Sequence, residues 1–181
     1  MPSRLFSILL LLLLSAGLSA PAGADNPAAD KVKAAYLFNF AKFIHWPEGT
    51  FAQATSPLTI GVLGDSRFAA QLNKLQGKRI QEHPILIEYY PDLASIGQCQ
   101  ILYLAPPDPG QITPFLHRLA GQAIVTVAEE KNFSQQGGMI QFIPVRGRLR
   151  FIINLNSAKQ SRIRIDSRLL SLAIEVMEAK P

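Results

Sequence analysis

Two pairs of arginines stand out late in the chain, Arg148 with Arg150 and Arg162 with Arg164. Residues two apart share a face of an extended strand, so each pair would aim two guanidinium groups the same way if its segment is extended. Guanidinium groups in that arrangement suit bidentate contact with carboxylate or phosphate. With Arg146 they are expected to form one basic surface. The charge balance points there too: residues 142–170 hold seven Lys/Arg against Asp166 alone, whereas residues 25–141 hold nine against ten Asp/Glu. The formal net charge of +5 is therefore a C-terminal property. An acidic protein surface, phospholipid head groups or a phosphorylated small ligand would fit it; so would plain protection of an edge strand against aggregation. Nucleic acid is not an expected partner for an exported chain.

Other residues invite chemistry with less support. In "GVLGDSRF", residues 61–68, a weak anion site at Gly64, Asp65, Ser66 and Arg67 competes with an ordinary capped strand-to-helix turn, and the Asp65 carboxylate opposes an anion. Neither G-x-G-x-x-G nor a P-loop is present. His45, His83 and His117 are isolated from one another and from cysteine, so no metal site is predicted. Glu129-Glu130 reads as a solvated pair rather than an acid/base couple, and no nucleophile elbow occurs. Nothing names an enzyme or a cofactor. Cys99 is the only cysteine, which excludes a disulfide within the chain and leaves a buried, inert thiol or a reactive one.

These residues need elements to position them. Arg4, the apolar run over residues 5–20 and the small residues Ala22-Gly23-Ala24 form a signal-peptide pattern over residues 1–24, with cleavage before Asp25 and an uncleaved anchor as the alternative. Residues 25–181 fit one domain, secreted or periplasmic. A helix is expected over about 30–44. Val32, Ala35, Tyr36, Phe40, Phe43 and Ile44 would turn inward, and Lys31, Lys33 and Lys42 would face water. Asn39 should tie that helix to a loop, and Trp46-Pro47 fixes its exit and borders a groove. Strand-like runs at 58–64, 85–90, 100–105 and 123–128 alternate with helical segments near 66–75 and 109–121. The fold class is α/β: a mostly parallel sheet with helices on both faces and a C-terminal antiparallel hairpin through Arg146-Gly147-Arg148, placed at an edge by Pro144. "SRLLSLAIEVMEA" is expected to close the chain as a helix capped by Ser167, with Leu169, Leu170, Leu172, Ala173 and Val176 inward.

"KAAYLFNFAKFIHWPE", "GGMIQF", "RFIINL" and "SRLLSLA", in that order, resemble the YfiR-like family of exported bacterial proteins over nearly the whole mature chain. The resemblance implies a periplasmic α/β regulator, often a homodimer, that binds the periplasmic region of an inner-membrane diguanylate cyclase and represses it. That would place the chain in cyclic-di-GMP and biofilm control. The best-known members rely on disulfides, which this chain, with Cys99 alone, cannot form internally. Arg148, Arg150, Arg162, Arg164, Trp46 and Arg67 are the expected contact residues for a partner, or for a small anionic or nucleotide ligand.

Overall fold

The computed structural model describes residues 27–178; the expected signal peptide lies outside them. The first helix, α1 (Pro27–Phe43), begins with proline at a position where its missing N–H costs nothing. It leads into β1 (Ile44–His45). Strand β2 (Leu58–Leu63) is followed by α2 (Ser66–Leu72) and a single 3-10 turn at Asn73–Leu75. Next come β3 (Arg79–Ile80), β4 (His83–Tyr90) and β5 (Ile101–Leu104). A 3-10 turn at Pro109–Gln111 opens α3 (Ile112–Leu119), and β6 (Val125–Ala128) follows. The hairpin β7 (Ile140–Val145) and β8 (Arg148–Asn154) precedes α4 (Leu155–Gln160), β9 (Arg164–Ile165), α5 (Ser167–Leu170) and β10 (Glu175–Met177).

The main sheet has eight strands in the order β10-β8-β7-β6-β5-β2-β4-β3. Strands β4, β2, β5, β6 and β7 run parallel, and β8 returns antiparallel to β7. The chain starts at β2, steps to β4 on one side, then crosses back to β5 on the other. The order of winding reverses between β2 and β5, the arrangement that opens a crevice at the strand C-termini of doubly wound sheets. Every residue of β2, β5 and β6 is buried, as expected for central parallel strands covered on both faces. On one face Leu37, Phe40 and Ala41 of α1 pack with Phe68, Leu72, Phe142 and Phe151. On the other, Phe115 and Leu116 of α3 pack with Leu63, Leu102, Leu104 and Phe133.

Three local expectations are corrected. The buried face of α1 comprises Asp30, Lys33, Ala34, Leu37, Phe40 and Ala41, while Val32 and Ala35 are exposed. The inward stripe is thus turned toward Lys33, which finds ionic partners there; Asn39 is exposed and ties nothing. The C-terminal helix stops at Leu170, is capped by Asp166 rather than Ser167, and gives way to β10. Ile174 N–H donates to Phe151 O at 3.0 Å, so the open side of β8 captures a segment whose pattern suited a helix equally well. In consequence Leu172 and Val176 are exposed. The hairpin is not the edge of the sheet, since β10 lies outside β8. Pro144 is nonetheless tolerated, because β7 pairs with β6 only at Ile140 and Gln141 and is open beyond.

Candidate functional site

The anticipated contact residues occupy three separate places. At the hairpin tip, Arg146 (φ 48°) and Gly147 (φ 73°) form the two-residue turn that matches strand twist. Arg148 and Arg150 alternate on β8 as expected and line a groove of about 460 Å³ with Ala28, Val32, Tyr36 and Leu149. The Tyr36 hydroxyl donates to Leu149 O at 3.1 Å, fastening α1 to the hairpin beneath the groove. Among the described residues no carboxylate pairs with Arg146, Arg148 or Arg150. Cations without partners beside an exposed Val32 (45%) make an amphipathic basic surface.

The second place lies past the other end of α1. Strand β9 pairs antiparallel with β1, setting Arg164 opposite His45. Arg164 lines a cleft of about 260 Å³ with Trp46, Phe51 and His83. Trp46 is anchored: its Nε1–H donates to Gln100 O at 3.3 Å and its ring meets Phe51 edge-on. Phe51 stacks on His83 at 3.9 Å, and His83 Nδ1 donates to Ser56 O at 2.7 Å. Arg162 precedes β9 with φ 56°, so this pair does not share one extended segment. From Val32 to His45 the chain advances about 20 Å along α1. The structure therefore holds two basic patches at opposite ends of one helix instead of a single surface.

Arg67 belongs to the third place, the crevice at the winding reversal. Asp65, directly after β2 and Gly64, caps α2 by accepting from Phe68 N–H at 2.9 Å. Gly64 has φ 81°, and a Cβ there would stand 2.1 Å from Ala105 O, so only glycine lets the loops after β2 and β5 meet. Lys33, buried on α1, bridges Asp30 Oδ1 and Glu129 Oε1, each at 2.8 Å. The Tyr103 hydroxyl donates to the same Glu129 oxygen at 2.5 Å. The Lys33 ammonium also lies 4.8 Å from the centre of the Phe68 ring, and Arg67 Nε stands 3.9 Å from Asp30 Oδ2. Burial alone would lower the Lys33 pKa; its hydrogen bonds and charge pairing with Asp30 and Glu129 outweigh this and raise it. Burial, followed by the Glu129 charge, pushes the Tyr103 phenol up as well.

This crevice, about 340 Å³, is lined by Lys33, Asp65, Tyr103, Glu129 and Glu130. Four carboxylates, counting Asp30, face two cations, which disfavours an anion beside Arg67. The Glu129 network was not anticipated, because Glu129-Glu130 looks like a loop pair. The available signal was its position immediately after the buried strand β6, at the end where doubly wound sheets gather polar groups. Cys99 is buried, and burial followed by the nearby Glu88 charge pushes its thiol up to about 12.

Strand order and polar crevice together define a doubly wound α/β domain carrying two basic patches on its surface. Comparison with known proteins narrows the class: a family model described as YfiR/HmsC-like matches residues 30–174. The chain belongs to the YfiR/HmsC-like family, whose members are periplasmic regulators in cyclic-di-GMP signalling rather than enzymes. No curated protein matches it.

Proposed function

We propose that this chain is a periplasmic repressor that docks on the extracytoplasmic region of an inner-membrane diguanylate cyclase through the Arg148/Arg150 face. Family membership supports the regulatory class, and the unpaired arginines beside exposed Val32 are the observation that carries the choice of surface. Guanidinium groups that no described carboxylate pairs are available to an acidic partner and to steering its approach. Exchanging Arg148 and Arg150 for Glu reverses that field. The folded double variant should bind the purified extracytoplasmic region of the cyclase more weakly, and binding of the unmodified protein should weaken with added salt. Deletion of the gene should raise cellular cyclic-di-GMP. Unchanged binding by the double variant at low salt would remove the face from the proposal, and unchanged cyclic-di-GMP after deletion would remove the cyclase.

A second reading, a periplasmic receptor for a small anion or nucleotide, is favoured by the Arg164 cleft, where a guanidinium group, two imidazoles and the Trp46 ring converge. Thermal-shift measurements with nucleotides and carboxylates test it: stabilisation lost in Arg164→Ala supports this reading, and no stabilisation by any anion rejects it.

A further inference from the structure

The hairpin of β7 and β8 reaches beyond its neighbours in the sheet. Strand β6 pairs with β7 only at Ile140 and Gln141, and β10 pairs with β8 only from Ile152 to Asn154. Parity fixes which backbone groups face outward toward the tip. The two-residue turn makes Val145 and Arg148 a hydrogen-bonded pair, and at the far end Asn154 N–H donates to Met139 O at 2.8 Å. Even-numbered residues of β8 thus bond to β7, while Leu149 and Phe151 turn their N–H and C=O to the outside. Phe151 O accordingly accepts from Ile174 N–H at 3.0 Å. By the same count Pro144 is an outward position of β7, and it has no N–H to offer. Proline closes one edge of the tip; the other, at Leu149, is open.

Helix α1 flanks this open edge. The groove of about 460 Å³ runs between Ala28, Val32 and Tyr36 on α1 and the consecutive residues 147–150. Consecutive rather than alternate lining residues put it along the strand's edge instead of over one face. The Tyr36 hydroxyl takes one lone pair of Leu149 O, at 3.1 Å. Among the described residues nothing accepts from Leu149 N–H. A free strand edge facing a helix across a groove is the geometry in which extended peptides add to a sheet. We infer that this groove binds an extended acidic segment of the partner protein, laid along the outer edge of β8 and held there by Leu149 N–H.

Alternation along the strand also gives the pattern that would be recognised. Leu149 and Phe151 share the face that packs against the core with α1, so Arg148 and Arg150 lie on the opposite face. An added strand alternates in the same way. Its residue opposite Leu149 turns toward Val32 and Tyr36 and should be apolar; the residues on either side of it stand across from Arg148 and Arg150 and should be acidic. Among the described residues no carboxylate competes for either guanidinium group. The inference rests on the docking face proposed above and specifies what docks there.

Two variants separate the backbone from the side chain. Leu149→Pro removes the outward N–H but no bond to β7, as Pro144 directly opposite already does on its own strand. Leu149→Ala keeps the N–H and removes the side chain. The probe is the capped peptide Glu-Val-Glu-Val-Glu at low salt, titrated into the protein and followed by amide NMR. Shifts should be confined to residues 147–150 and the first turns of α1, and the dissociation constant should be about fivefold higher in Leu149→Pro than in Leu149→Ala. The reordered peptide Glu-Glu-Glu-Val-Val, of equal charge, should bind more weakly. In the unmodified protein the Leu149 amide should exchange with solvent more slowly once peptide is bound, a readout that does not need Leu149→Pro to fold. Absence of peptide binding overturns the inference, as do equal affinity for the two peptides and a Leu149 amide whose exchange does not change. So does a folded Leu149→Pro that binds as Leu149→Ala does. Peptide binding in the groove by a protein that ignores the cyclase would remove only the proposed partner. Cyclase binding that needs Arg148 and Arg150 but leaves the Leu149 amide unprotected would remove only the groove.

Discussion

Lys33 shows how one residue can reverse the reading of a helix. A lysine within an apolar pattern is assigned to water because burying an unpaired ammonium is prohibitive. Here Asp30, three residues earlier, and Glu129, directly after the central strand β6, hold it in place. Removing one member of a buried ion group leaves the others uncompensated, so Lys33→Ala should cost about 3 kcal/mol in urea unfolding. Exposed Lys31→Ala should stay within about 0.5 kcal/mol. The pH dependence has a definite sign. Lys33 and Tyr103 both bind their protons more tightly folded than unfolded, as their raised pKa values require. Their contribution is complete below about pH 10 and is lost as pH climbs above it. Tyr103→Phe should flatten that alkaline decline, measured as urea midpoint against pH. The local i, i+3 pair of Asp30 and Lys33 was visible in the sequence; the third partner, 96 residues away, was not.

Most elements were legible because their signals are local. Strands β2, β4, β5 and β6, the Arg146-Gly147 turn and the Asp65 cap all depend on residues a few positions apart. The C-terminal segment was misread because "SLAIEV" satisfies helix and strand equally, and the open side of β8 decided between them. The two arginine pairs were placed together because sequence spacing cannot reveal that α1 lies between them. Gly138 carries a further prediction for the loop before β7. A Cβ on it would stand 2.2 Å from the ring of Phe133, which is fully buried against the second face. The ring must shift within the core to admit that Cβ, so Gly138→Ala should destabilise the protein by about 1–3 kcal/mol, the usual cost of overpacking. Phe133→Leu in the same chain should recover part of the loss, read from thermal unfolding.

At the scale of the whole molecule, stability has to come from the two-sided core, because Cys99 has no partner cysteine. The protein should melt at the same temperature with and without dithiothreitol. In its folded state Cys99 should resist alkylation at pH 8, where a buried thiol with a pKa pushed up to about 12 supplies almost no thiolate. A reductant-dependent melting temperature, or rapid alkylation of the folded protein, would show that the thiol is accessible.

The aromatic face of α1 meets its partners very late in the chain. Tyr36 and Phe40 pack on Phe142 and Phe151, with ring centres 5.1–5.8 Å apart, across more than a hundred residues of sequence. A polypeptide synthesised amino end first therefore presents this helix well before its binding surface exists. Contacts so distant in sequence form slowly, since a long loop must close before they can repay it. The order of synthesis keeps this helix from packing on its aromatic partners until the hairpin has been made. Until the hairpin follows, its aromatic side chains have no partners to bury them.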